Sequence, residues 1–288
     1  MITHAPNDLS ALDDVRLAAA LATGAGDVLL GLRRRADADR PDGTAVDAGA
    51  SDLRRAGDAA AQSWLADAIA GARPDDAVLS EEAADDPRRL TADRVWIIDP
   101  LDGTREFGEH LDDGRWRDDF AVHVALWRRD AGLAGGAVAL PACDVVYSSG
   151  LRIVPAAGAA SDVLGGSRPI RIAVSRSRQP EVAARLAERD DVELVPMGST
   201  GVKVARVLDG TVDAYVHAGG QHEWDSAAPV AVALAAGFVA TRLDGSPLVY
   251  NQPTPWSPDL VVCHPGLAAH LRSLLGWAGV EPADAGAA

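Results

Sequence analysis

Residues Val95 to Thr104, reading Val-Trp-Ile-Ile-Asp99-Pro100-Leu101-Asp102-Gly103-Thr104, constrain what this chain can fold into more than any other segment. An apolar strand ends in a carboxylate, and Pro100 stiffens the turn that follows. A second carboxylate arrives three residues after the first, with the Leu101 carbonyl between them. Such a turn can aim two carboxylates and one carbonyl at a common point, a hard-oxygen cradle for Mg²⁺. Gly103 permits close approach of the backbone to a ligand. If Gly103 and Thr104 open a helix, their amides point at an anion, and phosphate is the expected guest. The competing reading is a capped β-turn, with Asp102-Gly103 as turn chemistry and Asp99 capping the strand end.

Two further acidic features shift the balance. Glu81-Glu82 follows the strand-like Ala77-Val-Leu79 and also stands at a strand exit, although adjacent glutamates in a loop are usually just solvated. Glu223-Trp-Asp225-Ser-Ala-Ala228 precedes a long apolar helix, where Asp225 alone would pass for an N-cap. Three element ends that each offer carboxylates fit one polynuclear metal site better than three coincidences. The overall charge agrees. With 27 basic and 42 acidic residues the net charge is −15. That argues against a nucleic-acid polymer as the main partner and suits a metal bridge to a small phosphorylated ligand.

Around this centre helices and strands follow one another. Leu17, Leu21, Val28 and Leu32 share one helical face, and Arg33, Arg34 and Arg35 suit the negative end of that helix. After a polar loop with Pro41, Gly43 and Gly49, a second amphipathic helix is expected over 52–70. Leu53, Ala60, Trp64, Leu65 and Ile69 would face inward, and Gly71 and Pro74 would end it. Phe120, Val122, Val124 and Leu126 alternate with small or polar residues, a strand signal, and 137–140 with 145–148 look like a hairpin around Pro141 to Asp144. The Ala-, Gly-, Ser- and Pro-rich stretch 154–169 reads as a linker. It divides an N-terminal α+β domain, 1–155, from a C-terminal α/β domain, 169–288, that completes the site. In the latter, strands at 170–174, 192–195 and 212–216 alternate with helices at 181–189, 202–208 and from near Trp224.

No segment approaches about 18 uninterrupted apolar residues, so no membrane span is expected. Met1 to Leu9 lacks the basic-then-apolar order of a secretory signal. Cys143 and Cys263 are too isolated for a metal-ligand spacing or a disulfide framework, which suits a reducing cytoplasm. Lys203 is the only lysine in an arginine-rich chain, so it stands out where any single arginine does not.

Glu81-Glu82, Asp99-Pro-Leu-Asp102-Gly-Thr104 and Trp224-Asp225-Ser-Ala-Ala228 resemble, in order and spacing, the three signatures of the inositol monophosphatase superfamily. Asp, Pro, Asp, Gly and Thr at fixed places arise by chance in roughly one in ten thousand chains of this length. The resemblance covers about Leu9 to Trp277. It implies a layered α/β/α/β/α sandwich and a phosphatase that depends on Mg²⁺, with more than one ion (two or three), inhibition by Li⁺ and a homodimer as a common assembly. Thr104-Arg105-Glu106-Phe107, Ser175-Arg176-Ser177 and Gly198-Ser-Thr200 with Lys203 look like the bisphosphate nucleotidase branch, and most like its actinobacterial form. That branch implies hydrolysis of the 3′-phosphate of 3′-phosphoadenosine 5′-phosphate (PAP) to AMP. An inositol-1-phosphatase or fructose-1,6-bisphosphatase of the same superfamily is the alternative.

The resemblance makes Glu81, Asp99, the Leu101 carbonyl, Asp102 and Asp225 the metal ligands. The amides of Gly103 and Thr104 would hold phosphate oxygens. Thr104, paired with Asp58 or Glu82, would orient and activate the attacking water, while the metal lowers that water's pKa and stabilises the leaving alkoxide. Arg176 and Lys203 are the candidates to meet the second phosphate, since the metals neutralise only the scissile group. Each also reads as an ordinary solvated residue. Asp58 carries a departure: the family has a Lys and a Thr ahead of it, and Ala56 occupies the Thr position here. An exposed helix Asp therefore stays open at 58. His123 and His217 read as structural. Two classes outside the resemblance compete, a non-catalytic metal- or phosphate-binding protein and a two-carboxylate glycosidase. The latter leaves the Gly103-Thr104 cradle unexplained.

Overall fold

The computed structural model describes residues 8–38, 50–155, 157–177 and 179–283. The loop expected at Pro41, Gly43 and Gly49 lies outside the described residues, as do 1–7 and the tail from 284. Two helices come first, α1 (Asp14–Ala38) and α2 (Ala50–Ala72). Then follow β1 (Ala77–Ser80), β2 (Arg94–Asp102), the one-turn helix α3 (Thr104–Phe107), β3 (Ala121–Arg128), β4 (Gly132–Leu140) and β5 (Val145–Ser148). The second half holds α4 (Ala157–Leu164), β6 (Ile170–Ser175), α5 (Glu181–Leu186), β7 (Val192–Met197), α6 (Thr200–Leu208) and β8 (Ala214–His222). It closes with α7 (Glu223–Ala235), β9 (Val239–Thr241), β10 (Trp256–Cys263) and α8 (Ala268–Trp277).

The strands form two five-stranded sheets, β1-β2-β3-β4-β5 and β7-β6-β8-β10-β9. Leu17, Leu21 and Leu29 of α1 and Leu65 and Ile69 of α2 bury one face of the first sheet at Trp96, Ile98, Val122 and Val124. Between the sheets, Val202 and Val204 of α6 and Val230 and Val232 of α7 share a cluster with Val95, Ile97, Tyr215, Leu260 and Val262. α4, α5 and α8 cover the far face of the second sheet. The α/β/α/β/α order is therefore the one the chain adopts. It follows from strands that are apolar on both faces and so need helices on both.

β3 illustrates this. Phe120, Val122, Val124 and Leu126 face α1 and α2, but the intervening Ala121, His123 and Ala125 are just as buried. α6 presses on this second face: a Cβ on Gly201 would fall 2.2 Å from His123 Nε2 and 2.9 Å from the Ala121 Cβ. The stretch 154–169 is not a bare linker, because it holds α4, which buries Ala160 and Val163. α1 is long and apolar enough to cross a membrane by length and composition, although it has no uninterrupted apolar run. More than half of that stretch is buried inside the protein, on α2 and the first sheet, which is the position of a core helix.

Candidate active site

Residues three apart in a regular strand point to opposite faces, yet Asp99 and Asp102 must converge to share an ion. β2 resolves this with a bulge. Asp99 pairs with His123 and Asp102 with Ala121, so a three-residue step in β2 spans a two-residue step in β3. Pro100, which has no N–H to donate, sits in the irregularity. As a result, ligand atoms of Asp99, Asp102 and Asp225 all lie within 4.8 Å of one another. β1 runs parallel to β2 with Ser80 beside Ile98, so Glu81 emerges next to Asp99. Asp225 comes from the first turn of α7, where it also accepts the His222 N–H; the N-cap is His222, not Asp225.

The carboxylates repel one another. Asp99 is 1% exposed, and burial, then the charges of Asp102, Glu81 and Asp225, hold its carboxyl well above the usual range. Glu81 is an exposed residue overall. Its carboxyl is nonetheless pushed to about 7, first by burial and then by Asp225, Asp102 and Glu82. Clustered like charges with oxygen-only donors fit a hard divalent cation, and the Leu101 carbonyl stands in the same turn. Asp102 is further held by the second half of the chain. Its Oδ2 accepts from Ser199 Oγ at 2.6 Å and from the Gly201 N–H at 3.0 Å. His123 Nε2 lies 3.3 Å from the same oxygen without the alignment of a hydrogen bond. Ser199 reaches Asp102 from a backbone with φ of +45°, a region non-glycine residues rarely adopt.

Thr104 follows Gly103, whose φ of +89° and close contact with the Asp119 carbonyl (3.1 Å from a built Cβ) both require glycine. The Thr104 hydroxyl lies 3.0 Å from the Leu101 carbonyl and 3.3 Å from Asp58 Oδ1. Asp58 is therefore not a plain exposed helix residue. Its carboxyl is raised to about 6 by burial and by the charge of Glu82. Of the two expected partners Thr104 bonds Asp58, and Glu82 acts on Asp58 through its charge. The approach depends on Gly57, where a Cβ would fall 2.7 Å from Phe107 Cε1 and 3.0 Å from Leu101 Cδ2. Gly57→Ala should lower kcat by roughly 10²-fold through misplacement of Asp58, although alanine favours the helix by about 1 kcal/mol. Steady-state kinetics beside circular dichroism checks this. A wild-type kcat would show that the spacing does not matter.

Glu81, Asp102, Gly103, Thr104 and Asp225 open onto a cavity of about 550 Å³ that also reaches Lys203. Lys203 is 4% exposed, so the solvated alternative does not hold. Its Nζ donates to the Gly198 carbonyl at 3.3 Å and lies 5.1 Å from the Tyr215 ring centre. Burial lowers its pKa, opposed by Asp102, Glu106 and Asp225. Arg176 is placed differently. Ser175 and Ser177 line the cavity, while the Arg176 guanidinium is bound by Glu106, at 3.1 Å, and by Asp119.

The inositol monophosphatase family matches residues 11–275. This chain belongs to that family. It is 46% identical over 286 residues to a Mycobacterium leprae protein named 3′-phosphoadenosine 5′-phosphate phosphatase, covering 96% of this chain and 98% of the relative. A Mycobacterium bovis protein of the same name is 49% identical over 249 residues, covering 85% of this chain and 86% of its own. Inositol monophosphatase-II from Staphylococcus aureus MSSA476 has the same fold, with a TM-score of 0.68 at 20% identity over 88% of this chain and 91% of the other.

Reading the sequence as a member of this family missed several supports of the site. Arg33 was expected at the negative end of its own helix. Instead it is 4% exposed and donates to the carbonyls of Phe107 (2.8 Å), Glu106 (3.2 Å) and Arg117 (2.7 Å), closing the C-terminal end of α3. Nothing local distinguishes it from Arg34 and Arg35, which are exposed. Ser199 lay inside a recognised motif but carried no assigned role. Gly57, directly before Asp58, was the available signal for a close helix approach.

Proposed function

We propose that this family member is an Mg²⁺-dependent phosphatase that hydrolyses the 3′-phosphate of PAP to give AMP and phosphate. The carrying observation is that Glu81, Asp102 and Asp225 of the carboxylate cluster, and Thr104, whose hydroxyl bonds Asp58, open onto one cavity that also holds the only lysine. A substrate with two phosphates needs such a second cationic point. The names of the two mycobacterial relatives support the same substrate. Glu81, Asp99, the Leu101 carbonyl, Asp102 and Asp225 would hold two or three Mg²⁺, which when bound supply charge neutralisation and an acidified water.

The chain's own residues supply position. Thr104 Oγ1 has one proton, which it donates to Asp58 Oδ1 or to the Leu101 carbonyl. Its lone pairs stay open to accept from water and turn a water lone pair toward phosphorus. Asp58, at about 6, is ionised at neutral pH and keeps that hydroxyl oriented. The water oxygen forms the new P–O bond as the P–O3′ bond breaks, and the leaving 3′-oxygen takes up a proton. Lys203 meets the second phosphate. Arg176, bound by Glu106 and Asp119, holds the loop after β6 to α3 instead. Cys143 and Cys263 are free thiols, which suits a reducing cytoplasm.

Lys203→Met should raise KM for PAP by roughly 10–100-fold, the scale of a charged hydrogen bond, with a smaller change in kcat. Arg176→Met should leave that KM within about threefold. An unmoved KM in Lys203→Met would remove Lys203 from the second phosphate. The deciding assay for the function compares phosphate release from PAP, inositol-1-phosphate and fructose-1,6-bisphosphate at equal Mg²⁺, and without Mg²⁺. If inositol-1-phosphate is turned over ten times better, the substrate assignment fails. If no phosphate is released from any of them, the phosphatase reading fails.

A further inference from the structure

Away from the carboxylates, the cavity wall is built by β8 and β10 and includes Gly220, Gln221, His222 and Trp256. Gln221 is 7% exposed, and neither Oε1 nor Nε2 has a hydrogen-bond partner among the described residues. Proteins seldom leave a buried donor and acceptor unmatched. An unpartnered carboxamide at a cavity wall therefore marks a place where a ligand completes the pairing. Trp256 stands at the same wall, 52% exposed. It lies against Gly220, where a Cβ would fall 2.7 Å from the indole Nε1 and 3.0 Å from Cε2. With φ of +93°, Gly220 is doubly restricted to glycine, and its lack of a side chain seats the indole. Ser257 pairs with Gln221 and Trp256 with His222, so Gln221 and Trp256 stand one step apart on neighbouring strands, and both line the cavity.

Resting on the PAP reading above, we infer that this wall is the base subsite and that Gln221 makes it selective for adenine. A primary amide presents C=O and NH₂ side by side in one plane. Adenine presents the matching pair on one edge, the N6 amino group beside the N7 acceptor, which is the basis of bidentate glutamine–adenine pairing. Guanine places O6 beside N7 on that edge, so the Gln221 carbonyl would face another acceptor. Trp256 adds a flat apolar surface that every base can use. Gln221 therefore sets selectivity and Trp256 sets affinity without selectivity.

The test measures kcat/KM for PAP and for guanosine 3′,5′-bisphosphate, together with calorimetric binding of AMP and GMP. The wild type should prefer the adenine compounds at least tenfold. Gln221→Met, close in shape, should cut the rate on PAP about tenfold and bring the adenine-to-guanine ratio toward one, whereas Gln221→Glu, which loses the donor to N7 but keeps an oxygen for N6, should cut the rate on PAP and keep the preference for adenine. Trp256→Leu, at an exposed position, should weaken both bases by a similar factor of roughly 5–100 and keep the ratio. A wild-type ratio in Gln221→Met overturns the base subsite while PAP turnover still stands. Failure of the wild type to hydrolyse PAP at all brings down the phosphatase reading itself, a distinguishable result.

Discussion

Asp99→Asn should lower Mg²⁺-dependent phosphate release by about 10³-fold or more, and raise the melting temperature of the metal-free protein. Both effects have one cause. Asp99 is almost fully buried, and its carboxyl faces the charges of Asp102, Glu81 and Asp225. With metal bound, that charge density would hold the ion and offset the charge of the transferring phosphoryl group, a contribution of several kcal/mol. Without metal it is repulsion with little solvent to relieve it, and a neutral carboxamide removes one member. Asn keeps the oxygen that accepts the Leu101 N–H at 3.0 Å, so the turn survives. Each kcal/mol of relief should raise the melting temperature by roughly 2–4 °C. Calorimetry of Mg²⁺ binding and thermal melts in chelator check the pair. Full Mg²⁺-dependent turnover by the variant would sink the metal assignment. An unchanged or lower melting temperature without metal would show that repulsion does not govern the cluster.

Thr104→Ala should lower kcat by roughly 10²-fold or more, the scale of losing a positioned hydrogen-bonding group, while KM for PAP changes much less. The hydroxyl lies within reach of both Asp58 and the Leu101 carbonyl, so its removal would take away the acceptor proposed for the water without altering the groups proposed to bind substrate. Thr104→Ser restores a hydroxyl and should recover most of kcat. Asp58→Asn separates the two partners. If it keeps near wild-type kcat at saturating Mg²⁺, the Leu101 carbonyl alone orients Thr104 and Asp58 has no share in the chemistry. A Thr104→Ala variant whose whole loss lay in KM would assign the hydroxyl to substrate binding instead.

The grouping at the centre of the candidate site is legible in the chain alone. Asp99, Pro100, Leu101, Asp102, Gly103 and Thr104 are neighbours in the chain, so covalent spacing and turn geometry confine where they can point. The observed bulge only finishes what proline at that place makes necessary. The layered α/β/α/β/α order was open to reading only through the family resemblance, since the alternation of strands and helices by itself points no further than an α/β second half. The helix within 154–169 escaped notice because its composition is that of a linker, and its buried face is only Ala160 and Val163. Packing between distant elements alone supplies the approach of Asp58 to Thr104, the burial of Lys203, the binding of Arg176 by Glu106 and Asp119, and the place of Arg33 under α3. Each joins residues far apart in the chain, 46 positions in the case of Asp58 and Thr104. Such contacts depend on how closely whole elements pack, which here turns on the missing side chain of Gly57, and no local pattern encodes that distance.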